Sequence, residues 1–310
     1  MNGVIILDKP EGFTSFDAVA VMRGLAHERK IGHTGTLDPM ATGVLPLLLG
    51  RAAKAADLLE DTSKRYRAGF RLGEQTDTGD RTGAVVKTDG TPVSRERLEK
   101  CLPRFRGEIL QLPPMYSAVS VNGQRLYKLA RQGIEVEREK RPVTIETLLL
   151  LEYDEASREG VLEVACSKGT YIRTLIEDLA EAAGSCGTMT QLRRTSACGF
   201  SVEDAATLDG LRALAAEGTL ESVLRPVDTL FQSLPASTVS PAQSTRFLNG
   251  GALGLERMKL PRIALRDGIR VRLYGNSSRG KPVFLGLGCV SLADNEMKIC
   301  KLFAEKDDLL

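Results

Sequence analysis

The sequence predicts an α+β protein in which helices flank a mixed, mostly antiparallel sheet and a small β-rich domain follows. Strand and helix patterns succeed one another without the regular alternation of a parallel sheet. The chain of 310 residues is longer than a typical single domain. Residues 230–241 are rich in Ser, Pro and Thr, as linkers often are. We therefore expect a large domain at residues 1–232 and a smaller one at residues 233–310.

The first elements follow from apolar runs and capping residues. Residues 4–7 form an apolar run that predicts a short strand, and residues 52–59 predict a helix. Ser15 is the expected N-cap of a helix that ends near residue 27. One side of this helix is expected to carry Phe16, Val19 and Met22.

The middle of the chain alternates between strand and helix patterns. Residues 66–87 predict two strands around a Gly- and Asp-rich connection, and residues 161–166 predict another strand. Residues 93–105 and 170–183 have helical spacing. The second of these helices is expected to face the core with Ile172, Leu175, Ile176, Leu179 and Ala183. Residues 111–133 begin near two prolines and become polar and basic, which predicts an exposed, mobile arm.

Beyond the predicted linker, residues 262–275 and 281–292 alternate apolar and polar side chains and are separated by Gly-containing turns. This pattern is typical of short strands. It is the reason for predicting a β-rich second domain.

Charge is informative only locally, because 42 basic residues almost balance 40 acidic ones. Residues 115–133 contain three basic residues and no acid, and residues 262–281 contain six basic residues against Asp267 alone. Such patches are suited to a phosphate backbone, although a solvated surface gives the same pattern.

Several classes of protein are excluded by composition. The six cysteines form no C-x-x-C pair, and the chain has two histidines, so neither a zinc site nor a disulfide framework is expected. The N-terminal apolar run is too short for a secretion signal, and no stretch reaches the ~20 apolar residues of a membrane span. A reduced, cytoplasmic protein without a metal or organic cofactor is the expectation.

The most informative segment runs from His33 to Gly50 and has the sequence HTGTLDPMATGVLPLLLG. It places one carboxylate, Asp38, in a turn rich in Gly, Thr and Pro, directly before an apolar run that can anchor the turn in a core. Catalysis by a carboxylate needs such a stiff support. An ordinary Asp-Pro turn between two elements is the alternative.

HTGTLDPMATG resembles the signature loop of the bacterial tRNA pseudouridine synthase B family. Six further blocks resemble that family in the same order; they are KPEGFTS, KRYRA, LGEQTDTGD, PPMYSA, SKGTYIRTL and LRRT. The resemblance implies a pseudouridine synthase fold with a C-terminal PUA-like RNA-binding domain. It also implies isomerisation of uridine-55 in the T-arm of tRNA, without a cofactor.

The resemblance implies three catalytic residues. Asp38 is the essential carboxylate, acting on C1′ or C6 as a nucleophile or on the C2′ proton; these routes stay open. Arg173 is expected to hold Asp38 in its charged form, an ion pair that Asp80 shares; a surface pair with Glu177 is the alternative. Tyr66 is expected to stack on the uracil, with core packing as the alternative.

Further residues are implied to bind substrate. His33 is expected to fill the stack that the extruded base leaves. Tyr171 and Leu192 are expected to line the pocket, although both suit an ordinary core. Lys9 and Lys54 are expected either to neutralise phosphates or to brace the loop.

The expected partner is tRNA, with no membrane, no obligate protein partner and a monomeric chain. Ser120 stands where the family commonly has lysine, and Ala53 replaces a frequent threonine. Two other functions remain open at this point: a non-catalytic RNA chaperone, and a glycosidase-like hydrolase, which requires a second carboxyl group.

Overall fold

The computed structural model describes residues 1–60, 62–261, 263 and 266–310. Short 3₁₀ helices connect several of its regular elements. Within these residues the α-helices are α1 (Ser15–Leu25), α2 (Arg95–Cys101), α3 (Leu126–Ala130), α4 (Ile172–Ala182), α5 (Leu208–Ala216) and α6 (Pro241–Leu248).

The strands divide into a large sheet, a second sheet and two small hairpins. Strands of the large sheet are β1 (Gly3–Lys9), β2 (Ile31–His33), β3 (Thr42–Leu49), β4 (Lys64–Leu72), β7 (Gly107–Gln111), β10 (Arg141–Asp154), β11 (Glu159–Cys166), β12 (Gly187–Ala197), β13 (Phe200–Ser201) and β14 (Ala206–Thr207). The hairpins are β5 (Glu74–Thr76) with β6 (Val85–Thr88) and β8 (Ser120–Val121) with β9 (Gln124–Arg125). Strands of the second sheet are β15 (Ala236–Thr238), β16 (Leu253–Gly254), β17 (Arg270–Asn276), β18 (Pro282–Ser291) and β19 (Glu296–Leu302).

In the described part of the chain, the large sheet has ten strands, in the order β14-β1-β3-β12-β4-β11-β10-β7, with β2 added to β3 and β13 to β12. Only the pairs β1–β14 and β3–β12 are parallel among its described strands. The predicted α+β class with a mostly antiparallel sheet is therefore confirmed. The strand predicted at residues 4–7 is confirmed as β1, and the strand predicted at residues 161–166 as β11.

The centre of this sheet is covered on both faces. Successive residues of a strand point to opposite faces, and Leu45 and Leu47 of β3 belong to the core under α1 and α4. Val44 and Leu48 belong to a second core, which also contains Phe231. Burial on both faces explains why β3 is continuously apolar instead of alternating.

As far as the structure describes it, the second sheet has five strands in the order β15-β17-β18-β19-β16. It packs against the first sheet through an apolar core that includes aromatic rings. The ring centroid of Phe231 lies 6.3 Å from that of Phe284 and 5.7 Å from that of Phe303. Part of the strand pattern predicted at residues 262–275 falls on Arg262, Ala264 and Leu265, which lie outside the described residues.

The prediction of a linker at residues 230–241 is wrong. Leu230 and Phe231 are buried, β15 joins the second sheet, and Ser240 caps α6 by accepting a hydrogen bond from Gln243 N–H. The Ser and Pro residues of this segment therefore begin elements instead of marking a free chain.

Several element boundaries also differ from the prediction. Thr14, not Ser15, caps α1, and Phe16 is 66% exposed while Val19 and Met22 are buried. A 3₁₀ helix at Gly50–Ala55 stands near the helix predicted at residues 52–59. Residues 66–87 contain β5 and β6 as a separate hairpin beyond the end of β4.

Residues 111–133, predicted as an exposed arm, are partly folded. They contain the β8–β9 hairpin and α3, whose Leu126 is fully buried. The basic side chains of this arm are exposed; they are Arg125, Lys128 and Arg131. None of the described helices combines the length and apolar character needed to cross a membrane.

Candidate active site

One cavity of about 240 Å³ brings together most of the residues predicted to act on the substrate. This volume is below the ~300–1,000 Å³ of sites for drug-sized ligands. Its lining includes Asp38, Tyr66, Arg173, Tyr171 and Leu192. Residues far apart in the sequence meet here because β4 and β12 are adjacent and α4 packs on β12.

The loop that carries Asp38 is fixed by hydrogen bonds to the segment before α1. Ser15 Oγ accepts a bond from Leu37 N–H at 2.9 Å and lies 3.3 Å from the Leu37 carbonyl oxygen, to which its hydroxyl donates. Gly12 N–H donates to the Pro39 carbonyl at 2.9 Å. The chain on both sides of Asp38 is therefore held, which is the support that a reacting carboxylate needs.

Lys9 also supports this loop, through contacts of its ammonium group with backbone carbonyls. Its Nζ donates to the carbonyls of Phe13 at 2.6 Å and Pro10 at 2.8 Å, and it lies 3.4 Å from the Pro39 carbonyl. The residue is fully buried, and burial lowers the pKa of its ammonium group to about 8. Bracing, one of the two predicted roles, therefore describes its position.

Arg173 joins two carboxylates. Its Nη2 lies 3.2 Å from Asp38 Oδ2, and its Nη1 lies 4.0 Å from Asp80 Oδ2. The guanidinium also donates to the carbonyls of Thr78 and Tyr116, each at 2.8 Å. Four contacts fix the group in one orientation, and the Tyr116 contact joins it to the start of the arm.

Asp38 is less enclosed than its partner, because its side chain is 34% exposed and that of Arg173 is 6% exposed. Burial raises the pKa of the Asp38 carboxyl above its usual range; the nearby Arg173 opposes this rise and Asp80 adds to it. The negative charge of the ionised carboxylate is therefore only partly compensated by its surroundings.

Tyr66 forms part of the cavity wall at the centre of the sheet. It is buried, and burial raises the pKa of its hydroxyl to about 12. Such a phenol stays protonated at neutral pH, which favours a stacking role over that of a base. Leu192, on the neighbouring strand β12, lines the same cavity.

Arg194 lies directly opposite Tyr66 in the β4–β12 register and is fully buried. Its Nε donates to the Val44 carbonyl at 2.7 Å and its Nη2 to the Gly35 carbonyl at 3.2 Å. A Cβ on Gly43 would lie 2.1 Å from the Arg194 carbonyl oxygen, so this position of β3 requires glycine.

Tyr171 precedes α4 and is held by Gln111. The Gln111 amide accepts from Tyr171 N–H at 3.0 Å and donates to the Tyr171 carbonyl at 3.2 Å. Tyr116 and Ser117 of the arm form another part of the lining. The cavity is therefore built jointly by the sheet, the start of α4 and the arm.

Besides Lys9, three further residues that the sequence predicted for the site lie outside this lining. Asp80 is buried, and its Oδ1 accepts a hydrogen bond from Thr82 N–H at 2.9 Å. It contacts Arg173 from outside the cavity lining. His33 ends β2, with a buried Nδ1 that has no hydrogen-bond partner among the described residues. Lys54 Nζ lies 3.4 Å from the Leu302 carbonyl in the second sheet.

Sequence reasoning missed Lys64, which lines the cavity, and three supporting residues: Ser15, Gln111 and Arg194. Lys64 stands in the KRYRA block, two residues before Tyr66, and strand periodicity places both on one face. This two-residue spacing from Tyr66 was therefore a signal in the sequence that could have identified Lys64. Across the described part of the chain, no cluster of three or more His, Cys, Asp or Glu side chains is arranged to hold a metal ion.

The sequence matches two adjacent family profiles. Residues 23–172 match the N-terminal domain of the TruB family pseudouridylate synthases, and residues 173–232 match a tRNA pseudouridylate synthase B C-terminal domain. The chain is 44% identical over 294 residues to tRNA pseudouridine synthase B of Pseudomonas putida, covering 94% of this chain and 92% of that protein. It is 47% identical over 253 residues to the Azoarcus enzyme of the same name, covering 82% and 83%.

Solved structures share the fold. The chain aligns with a chain of a Cbf5–Nop10–Gar1 complex at a TM-score of 0.73 and 25% identity, covering 98% of this chain and 86% of that one. Identity near 45% over almost the whole length of proteins that carry one name settles the family. The chain belongs to the TruB family of pseudouridylate synthases.

Proposed function

We propose that this protein converts uridine-55 in the T-arm of tRNA to pseudouridine and that Asp38 is the essential carboxylate. Family membership supports isomerisation of uridine in tRNA. The observation that carries the role of Asp38 is its 3.2 Å ion pair with Arg173 in the cavity that Tyr66 also lines. Family membership does not specify the position in tRNA, so that part is our own proposal.

The reaction exchanges one bond for another without redox change. The C1′–N1 bond breaks, the freed uracil rotates, and a C1′–C5 bond forms. The C5 proton then leaves to solvent, and N1 gains a proton. Asp38 supplies the negative charge, either as a nucleophile at C1′ or C6 or as the base that removes the C2′ proton.

The target nucleotide must leave its stack before it can enter the cavity. Extrusion of a base costs a few kcal/mol, and stacking of the uracil on Tyr66 offsets part of that cost by ~1–3 kcal/mol. We assign His33 to the vacated stack and Tyr171 and Leu192 to the pocket wall. The exposed basic side chains of the arm and the domain at residues 233–310 are assigned to the RNA backbone.

A hydrolase that uses two carboxyl groups is the competing chemistry. Among the described residues that line the cavity, Asp38 is the sole acid, and Asp80 lies behind Arg173. A glycosidase needs its second carboxyl group within reach of the bond. This arrangement favours isomerisation over hydrolysis. We further propose that the protein acts in the cytoplasm as a monomer, without an obligate protein partner.

The decisive experiment uses unmodified tRNA with tritium at C5 of its uracils. We expect the intact protein to release tritium to water, and Asp38→Asn to release none while it still binds tRNA. Replacement of uridine-55 by cytidine is the control for position, and it should abolish release by the intact protein. Tight binding without release would support an RNA chaperone, and free uracil would support hydrolysis; either outcome rejects the proposal.

A further inference from the structure

Among the described residues of the cavity wall, Lys64 is the one basic residue that has no assigned role. It begins β4, two residues before Tyr66, and its side chain lines the cavity that contains Asp38. It is not among the charged groups that perturb the Asp38 carboxyl, which are Arg173, Asp80 and Lys9. Lys64 is therefore close to the substrate position without belonging to the Asp38 ion pair.

The surroundings of Lys64 are strongly positive. Its Nζ and the Nη1 of Arg194 lie 3.5 Å and 3.8 Å from the point that a Cβ on Gly35 would occupy. Arg194 is fully buried, and its Nη1 has no hydrogen-bond partner among the described residues. Lys168 adds a third positive charge near Lys64. The cation cluster of Lys64, Arg194 and Lys168 thus borders the cavity.

Within the residues that the structure describes, none of the three members of this cluster forms an ion pair with a carboxylate, and no Asp or Glu is among the groups that shift the pKa of Lys64. Burial, with a contribution from Arg194, lowers the pKa of the Lys64 ammonium. Gathering uncompensated positive charge at a partly buried site is unfavourable unless an anion arrives. In the free protein, this cluster therefore lacks the anion that would stabilise its positive charge.

We propose that Lys64 binds a backbone phosphate that flanks the extruded nucleotide. This inference rests on the proposed function, because RNA brings phosphodiesters as its anionic groups. Lysine is an effective point-charge ligand for phosphate. The buried Arg194 adds positive electrostatic potential at the phosphate from the protein interior. The exposed Lys168 adds positive potential from the solvent side.

The position gives this contact a specific use. A phosphate held by Lys64 fixes the sugar of the same nucleotide between the cluster and Tyr66. The sugar carbon C1′ is then held toward Asp38 while the uracil rotates. The Lys64 contact thereby keeps the phosphate and the sugar in place while the uracil base moves.

The test pairs a protein substitution with a neutralised phosphate. T-arm stem-loop RNA is prepared with a single methylphosphonate at either linkage flanking uridine-55, and its dissociation constant is measured in the Asp38→Asn background, where no turnover occurs. We expect one linkage to weaken binding about tenfold when it is neutral. Lys64→Met should weaken binding of native RNA by a similar factor, and should have little further effect on RNA with that neutral linkage.

Lys100→Met is the matched control. Lys100 lies on α2, is 73% exposed and pairs with Glu96, so its loss removes the same charge away from the cavity. With Lys100→Met, the neutral linkage should weaken RNA binding as much as it does in the protein that has its native lysine at position 100. Lys64→Met should also reduce the dependence of binding on salt by about one phosphate contact.

An equal penalty of each neutral linkage with lysine and with methionine at position 64 would overturn the proposal. If Lys64→Met fails to fold, Lys64→Arg replaces it. Arginine keeps the charge, so sensitivity to the neutral linkage should persist, and its loss would contradict a phosphate contact. Absence of tritium release from native tRNA by the intact protein would reject the proposed function instead, a separate readout.

Discussion

The surroundings of Asp38 disfavour the charged form of its carboxyl group. Burial raises the pKa of its carboxyl, and Arg173 only partly offsets this effect. The ionised form is therefore less favourable in the folded chain than in the unfolded chain. This cost in folding is consistent with the catalytic role that we propose for Asp38.

We expect Asp38→Asn to gain stability relative to the parent protein as pH rises. With a raised pKa in the folded state, Asp38 contributes stability below its ordinary pKa of about 3.9 and loses that contribution as pH rises through the raised value. The melting temperature of the variant minus that of the parent should therefore increase from acid to neutral pH. Thermal denaturation at several pH values measures this difference.

Asp17→Asn is the matched control, because the stability contribution of Asp17 should depend on pH in the opposite direction. Asp17 accepts hydrogen bonds from the Thr14 side chain and backbone, which lower the pKa of its carboxyl. Its contribution is present above the ordinary pKa and is lost as pH falls through the lowered value. This variant should be less stable than the parent at neutral pH. A pH-independent difference for Asp38→Asn would contradict our account of that residue.

The central residues of the site could be predicted because they stand in recognisable sequence blocks. Asp38, Tyr66 and Arg173 were predicted in this way, and they line one cavity. Gln111 could not be predicted, since its contact with Tyr171 links residues 60 positions apart through the packing of β7 and α4. Supporting hydrogen bonds of this kind depend on tertiary geometry and leave no local pattern in the sequence.

The start of α1 has two hydroxyl side chains with different tasks. Thr14 caps the helix, accepting from Asp17 N–H at 3.0 Å. Ser15 turns inward and holds Leu37 in the Asp38 loop. The sequence alone assigned the cap to Ser15, because two adjacent hydroxyl residues satisfy the same capping preference. Only the packing of the loop on α1 distinguishes them.

We expect Ser15→Ala to reduce catalysis more than Thr14→Ala. Removal of Ser15 Oγ leaves the buried Leu37 N–H unpaired, at a cost of about 1–3 kcal/mol, and loosens the loop. A displacement of the carboxylate by about 1 Å is enough to lower turnover up to 10²-fold. Tritium release under single-turnover conditions measures the effect, and thermal denaturation measures the loss of stability.

Thr14→Ala gives the comparison that this prediction needs. Loss of the cap should cost about 1 kcal/mol of stability, a similar amount, without removing a contact to the loop. Its turnover should therefore stay close to that of the parent at a temperature where both variants are folded. Equal turnover in the two variants would show that the Ser15 contact does not position Asp38.

The two sheets share a continuous apolar core, which explains why the predicted linker is structured. The core on one face of β1 and β3 includes Val4 and Val44 and continues through Phe231 to Leu287 of the second sheet and to Phe303, which follows its strand β19. Composition predicted the linker because Ser, Pro and Thr are common in mobile segments. The same residues are also common at helix starts, and burial of neighbouring Phe231 was not readable from composition.

The shared core predicts that the whole chain unfolds cooperatively and that Phe231 couples its two parts. The Phe231 ring contacts those of Phe284 and Phe303, so Phe231→Ala should cost about 3–5 kcal/mol. Differential scanning calorimetry should give one transition for the parent protein and an earlier, separate transition of the second sheet for the variant. Phe16→Ala, which truncates a ring that is 66% exposed, should change stability by about 0.5 kcal/mol or less. Similar melting curves for the two variants would mean that the Phe231 contact does not couple the two sheets.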